Sequence, residues 1–258
     1  MALTDNTRGA LLMVCAMASF TFNDAIIKSV TPFLNIGQIM FVRGVMTLVM
    51  VSIIAKKIGA LRPLTTILNP VIMARCLCEV LATIFFLTGL SQIDFANVSS
   101  IMQSLPLVVT LGAALFLGEP VGWRRWLAIA VGFFGVLVIL RPGHDGFSTG
   151  SLFLVASVAV TAGRDLLTRK MQSNIPSMTV TFFTTLVNTV FGAILIVPYG
   201  GWQPLTFNLI GWLFVASIFV LLGYQTIILA MRKGEIAFVA PFRYTSLVFA
   251  FIVSILVF

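Results

Sequence analysis

Residues 207–230 read FNLIGWLFVASIFVLLGYQTIILA, without one charged side chain. At a rise of about 1.5 Å per residue, a helix of this length covers about 36 Å, more than the roughly 30 Å hydrocarbon core of a bilayer. A barrel strand would instead alternate polar and apolar residues over about 10 positions. Working outward, eight further apolar stretches fill the chain, at about 9–30, 33–55, 68–90, 94–117, 123–140, 149–170, 176–198 and 235–258. With 59% hydrophobic and 9% charged residues, little composition is left for a soluble domain. The fold class expected is all-α, a polytopic helical membrane protein with short connections between antiparallel neighbours.

The first segment has neither a basic leader nor a small-residue cleavage site, and Asn23 and Asp24 lie inside it. It therefore reads as a retained helix rather than a signal peptide. Charge fixes the expected orientation. Arg8, Lys56, Lys57, Arg62, Arg124, Arg125, Arg169, Lys170, Arg232 and Lys233 fall on one side, against Lys28 and Arg141 on the other. The positive-inside rule makes the first side, with the N-terminus, cytoplasmic, and places the protein in the cell inner (plasma) membrane. The net charge of +8 is thereby topological, and nucleic acid is not an expected partner. Cys15, Cys76 and Cys78 lie in or near spans as small apolar residues, and with a lone His144 in a loop no metal site is expected.

The chain resembles itself at an offset of 141 residues. Gly9 meets Gly150, Asn23-Asp24 meets Arg164-Asp165, Lys28 meets Arg169, Asp94-Phe95-Ala96 meets Glu235-Ile236-Ala237, and Val98 meets Val239. Two repeats are expected, 1–141 with five spans and 142–258 with four. An odd number of spans per repeat inverts the second copy relative to the first, an arrangement associated with secondary transporters. At this offset Phe258 corresponds to Leu117, so the counterpart of the fifth helix is absent. The expectation is either a truncated ten-helix protein or a nine-helix variant.

Gly118-Glu119-Pro120 closes the fourth span, Trp123-Arg124-Arg125-Trp126 opens the fifth, and Gly135 through Leu140-Arg141-Pro142 ends it. In this order the motifs resemble the EamA group of the drug/metabolite transporter superfamily over the whole chain. The cluster Asn23-Asp24-Ala25 with Lys28, and the opening Asn6 to Ala10, are similar to bacterial riboflavin carriers within that group. The resemblance implies ten helices as two inverted five-helix repeats and a carrier of small organic metabolites.

Buried charges cost on the order of 2.5–3.5 kcal/mol each at a helix centre, so each one needs a partner or a cavity. Arg43, Arg75, Arg164 and Arg243 lie within spans. Arg75 and Glu79, four residues apart, are placed for an intrahelical ion pair; alternatively, Glu79 carries a coupling proton. Asp24 and Lys28 have the same spacing and suit a salt bridge. Arg164 and Asp165 leave their helix about 100° apart, so one of them is expected to face a neighbouring helix. Pro106 and Pro241 predict bends in the fourth and ninth spans beside polar residues. Asn23, Arg43, Gln103, Arg243 and Tyr244 are the expected substrate-binding residues, with Asp24, Arg75, Glu79 and Asp165 as proton-coupling or ion-pairing groups. Arg243 either attracts an anionic group of the substrate or pairs with Glu79 or Asp165 for assembly. Phe20, Phe22 and Phe242 are positioned to stack on a planar substrate or to pack. Gly132, Gly135, Gly192, Gly211 and Gly223 would let helices approach closely.

The sequence contains no His-Glu-x-x-His or Gly-rich phosphate loop, and an enzyme is not expected. The expected partners are a small-molecule metabolite, the lipid bilayer, protons and a second copy in a homodimer, without a cofactor. The alternative is a non-transporting membrane receptor or assembly factor.

Overall fold

The structure is a computed structural model and describes residues 5–119, 122–140, 148–171 and 175–257. Pro120, Arg141, Pro142, His144 and Phe258, which carry parts of the sequence reading, lie outside the described residues. Among the described residues every regular element is helical. The helices are α1 (Asp5–Val30), α2 (Ile36–Lys57), α3 (Pro70–Gln92), α4 (Phe95–Met102), α5 (Leu105–Leu117), α6 (Trp123–Leu140), α7 (Thr149–Lys170), α8 (Ser177–Leu195), α9 (Phe207–Lys233), α10 (Ile236–Val239) and α11 (Thr245–Val257). Among the described residues seven segments are long and apolar enough to cross a membrane, counting Asn97–Leu117 as one, and the protein is a multi-pass membrane protein. α6 and the α10–α11 segment account for the other two expected spans.

Local chemistry sets the boundaries. Asn35 accepts from the Gln38 amide at 2.8 Å to start α2, and Asn69 accepts from the Val71 amide at 3.0 Å to start α3, with Pro70 in the first turn. Gly118, at φ +67°, ends α5 in the left-handed region that a side chain resists. The two prolines act as the sequence predicts. The fourth span breaks at Gln103 and Ser104, just before Pro106, and the ninth passes through a 3-10 turn over Ala240–Tyr244 that contains Pro241.

The main pairings are α1 with α9, α3 with α7, and α2 with α8. α5 also packs on α7, α11 on α1, α2 on α9 and α3 on α8. Exchanging α1–α3 with α7–α9, and α5 with α11, maps each of these pairings onto another or onto itself. The α2–α8 crossing depends on glycine: a Cβ on Gly192 would lie 2.6 Å from the Phe41 amide nitrogen, and one on Gly37 2.5 Å from the Leu195 carbonyl carbon. Gly132 and Gly223 also lie in close contacts, whereas Gly135 and Gly211 face open space, contrary to the expectation for those two.

Two apolar clusters divide the bundle along its length. One, with Met13, Ile72, Val109, Phe183, Met231 and Val239, fills the end that carries the N-terminus. The other, with Ile27, Ile39, Leu90, Ile101, Leu154 and Leu213, fills the opposite end. Asp24 of α1 and Glu79 of α3 lie between the residues that these helices give to the two clusters.

Candidate functional site

One face of each helix supplies the polar layer. Glu79, Ala82, Thr83 and Phe86 of α3, Ser157, Thr161 and Arg164 of α7, and Val220, Tyr224 and Ile227 of α9 recur at three- and four-residue spacing and line a common cavity. α1 adds Phe20, Thr21, Asn23 and Asp24, and α2 adds Arg43. The breaks in the fourth and ninth spans contribute Gln103, Arg243 and Ser246. The cavity holds about 180 Å³, room for about six waters. A smaller space of about 60 Å³ shares Asp24, Gln103 and Ser246 with it and continues toward Phe95, Val98 and Ala250.

The charges form two hydrogen-bonded groups. In the first, Arg43 Nη1 donates to Asn23 Oδ1 at 3.0 Å, and Asn23 Nδ2 donates to Asp24 Oδ1 at 2.9 Å. In the second, Glu79 accepts from Arg164 Nη1 at 3.0 Å and from the Tyr224 hydroxyl at 2.9 Å. Arg164 Nη2 also lies 2.8 Å from Asp165 Oδ1, and the other oxygen of Asp165 takes Arg243 Nη2. Arg164 and Arg243 thus meet Glu79 and Asp165 in direct ion pairs, whereas Arg43 and Asp24 are linked only through the neutral Asn23. Among the described residues the Nε of Arg243 has no hydrogen-bond partner, although its side chain is only 4% exposed.

Of the expected substrate-binding residues, Asn23, Arg43, Gln103 and Arg243 line the cavity. Tyr244 does not: its position in the 3-10 turn leaves it 37% exposed and outside the lining. Glu79 pairs with Arg164 and Tyr224 rather than with Arg75. Arg75 is fully buried and donates to the hydroxyls of Thr168, at 2.9 Å, and Thr184. The expected Asp24–Lys28 bridge is likewise absent. The Lys28 ammonium donates instead to the carbonyls of Leu90 and Ile93, at 2.7 and 2.9 Å, and caps the end of α3. Arg164 and Asp165 were expected to diverge, yet the long guanidinium folds back onto its neighbour's carboxylate, so both serve one network. Asp165 sits behind the lining, between two arginines. Phe20 faces the cavity and meets Tyr224 edge to face, whereas Phe22 stacks on Phe219 and Phe242 packs against Phe238.

Cavity residues missed from the sequence include Thr21, Thr83, Phe86, Ser157, Thr161 and Tyr224, while Arg164 was read there only as a buried charge. Ser157, Thr161 and Arg164 share one helical stripe, and that spacing is a signal by which they could have been found.

Residues 7–141 match the EamA-like transporter family. The chain is 30% identical over 149 residues to a riboflavin transporter of Vibrio cholerae, covering 57% of this chain and 49% of that protein. It is 27% identical over 176 residues to an S-adenosylmethionine uptake transporter of Rickettsia bellii, covering 66% and 58%. It is also 23% identical over 246 residues to the pseudopaline exporter CntI of Pseudomonas aeruginosa, covering 93% and 84%. The match spans about half the length of the riboflavin transporters. A crystal structure at 13% identity superposes with a TM-score of 0.72, covering 97% of this chain and 88% of that one, which shows the fold alone.

Proposed function

Because the chain belongs to the EamA-like transporter family, we propose that it moves a small polar organic metabolite across the membrane by alternating access, as a secondary-active or facilitative carrier. The observation that carries this reading is the cavity itself. Charged and hydrogen-bonding groups from α1, α2, α3, α7, α9 and both broken spans converge on one space in the middle layer, between two apolar ends. Asn23, Arg43, Gln103 and Arg243 face the substrate, and Glu79, Arg164 and Asp165 hold the helices together around it.

Residues 1–141 and 142–258 are the two repeats, a division favoured by the exchange symmetry of the helix pairs. Rocking one against the other exposes the cavity to either side. The end with the N-terminus is cytoplasmic, supported by the basic residues gathered there, and the membrane is the inner one. At about 180 Å³ the cavity falls below the usual 300–1,000 Å³ of small-molecule sites. That size favours an amino-acid-like compound; a vitamin as large as riboflavin requires the helices to part.

Transport into vesicles carrying the chain tests the reading, with labelled amino acids, riboflavin and S-adenosylmethionine as the panel. Saturable movement of one compound, reduced at least tenfold in kcat/KM by Arg43→Ala, is expected. No movement of any of them by correctly inserted protein overturns it.

A further inference from the structure

Resting on the carrier reading, we infer that Asp24, and not Glu79, is the site that binds and releases a coupled proton. The two carboxyls border the same cavity but are held differently. Glu79 is buried to 4% and accepts from an arginine and a tyrosine at once. A proton there would leave the buried Arg164 short of a counter-charge, so the negative charge of Glu79 is part of the assembly. Asp165, between Arg164 and Arg243, is fixed in the same way.

Among the described residues Asp24 has one side-chain donor, the neutral amide of Asn23, and no cation lies within ion-pair distance. The charged and titratable groups around it are each engaged elsewhere. Lys28, one turn along α1, is turned to the carbonyls of α3. Arg43 of α2 is bonded to Asn23, Glu79 of α3 to Arg164 of α7 and Tyr224 of α9, and Arg243 of the ninth span to Asp165. The fourth span presents only the neutral Gln103, whose amide donates to Ser246 at 3.0 Å. Asp24 is therefore the carboxyl whose charge the bundle does not hold in place.

Its position fits the task. Asp24 borders both the main cavity and the smaller space beyond it, at the neck between them, and is only partly buried. Where water reaches the neck, the carboxyl gives its proton to water and stands as a carboxylate. Where rocking seals it, an unpaired charge is too costly and the carboxyl takes the proton back. One proton is bound and released at this atom pair per cycle, and its occupancy shifts the balance between the two states.

Infrared difference spectroscopy of the full chain in lipid, stepped to alkaline pH from about pH 6, where solvent-exposed carboxyls are already ionised, uses the proton itself as the probe. The wild type is expected to show the carbonyl band of a protonated carboxyl that disappears as pH rises. The band is absent in Asp24→Asn, displaced in Asp24→Glu and retained in Glu79→Gln. A band that survives Asp24→Asn, a band lost in Glu79→Gln, or no titrating band in the wild type overturns the assignment. Failure of transport for every compound on the panel would instead sink the carrier reading, because the infrared readout needs no substrate.

Discussion

Arg164 of α7 lies 3.0 Å from Glu79 of α3, and the same guanidinium lies 2.8 Å from Asp165, its own neighbour in sequence. One cation thereby joins two carboxylates, and through Asp165 it reaches Arg243 of the ninth span. A chain of alternating charges ties α3, α7 and the broken helix together in the layer where hydrocarbon would otherwise penalise each of them.

Breaking this chain at its centre leaves buried charges unpaired. Arg164→Ala is expected to lower stability by about 3 kcal/mol, within the range for one-sided removal of a buried pair. Glu79→Gln costs less, since the amide still accepts from Tyr224. Thermal unfolding in detergent measures both. The double variant should fall short of the sum of the two, as coupled sites do.

Arg43 and Arg243 both face the cavity but differ in what they hold. Arg43 bonds only the neutral Asn23, whereas Arg243 pairs with Asp165. Arg43→Ala should therefore raise the substrate KM about tenfold, equivalent to about 1.4 kcal/mol, with little change in unfolding temperature. Arg243→Ala should weaken both transport and stability. Equal destabilisation by the two would contradict the division.

Gly192→Leu places side-chain atoms against the backbone of Phe41 at the α2–α8 crossing. A loss of about 1–3 kcal/mol is expected, as for overpacking, or failure to assemble. Gly211→Leu is the control, since nothing lies within 4 Å of a Cβ there. The amount of monodisperse protein recovered in detergent separates the two.

Lys28→Met should cost about 1 kcal/mol by stripping the α3 carbonyls of their donor. Because Lys28 is turned away from Asp24, its effect should add to that of Asp24→Asn within about 0.5 kcal/mol. A coupling well above that in a double-variant unfolding cycle would restore the intrahelical bridge.

Much of the fold was legible because hydrocarbon imposes a length and a composition that a single chain displays openly. Stretches such as 36–57 and 207–233 can hardly be anything but spanning helices, and Pro106 and Pro241 mark breaks because each lacks an amide hydrogen. The same cost of buried charge exposed Asp24, Arg43, Arg75, Glu79, Arg164 and Arg243 as residues in need of a partner or a cavity. Which partner each takes was not legible. Spacing along one helix suggested Arg75 for Glu79 and Lys28 for Asp24, since residues four apart share a face. In the folded bundle α7 brings Arg164 closer to Glu79, the end of α3 offers Lys28 two carbonyls, and Thr168 and Thr184 take Arg75. The sequence alone determined that these charges lie inside a helical membrane protein, because solvation is a property of each segment. Only the tertiary structure decided which of them neutralise one another and which, like Asp24, are left facing the cavity, because pairing depends on distances between helices that no single helix contains.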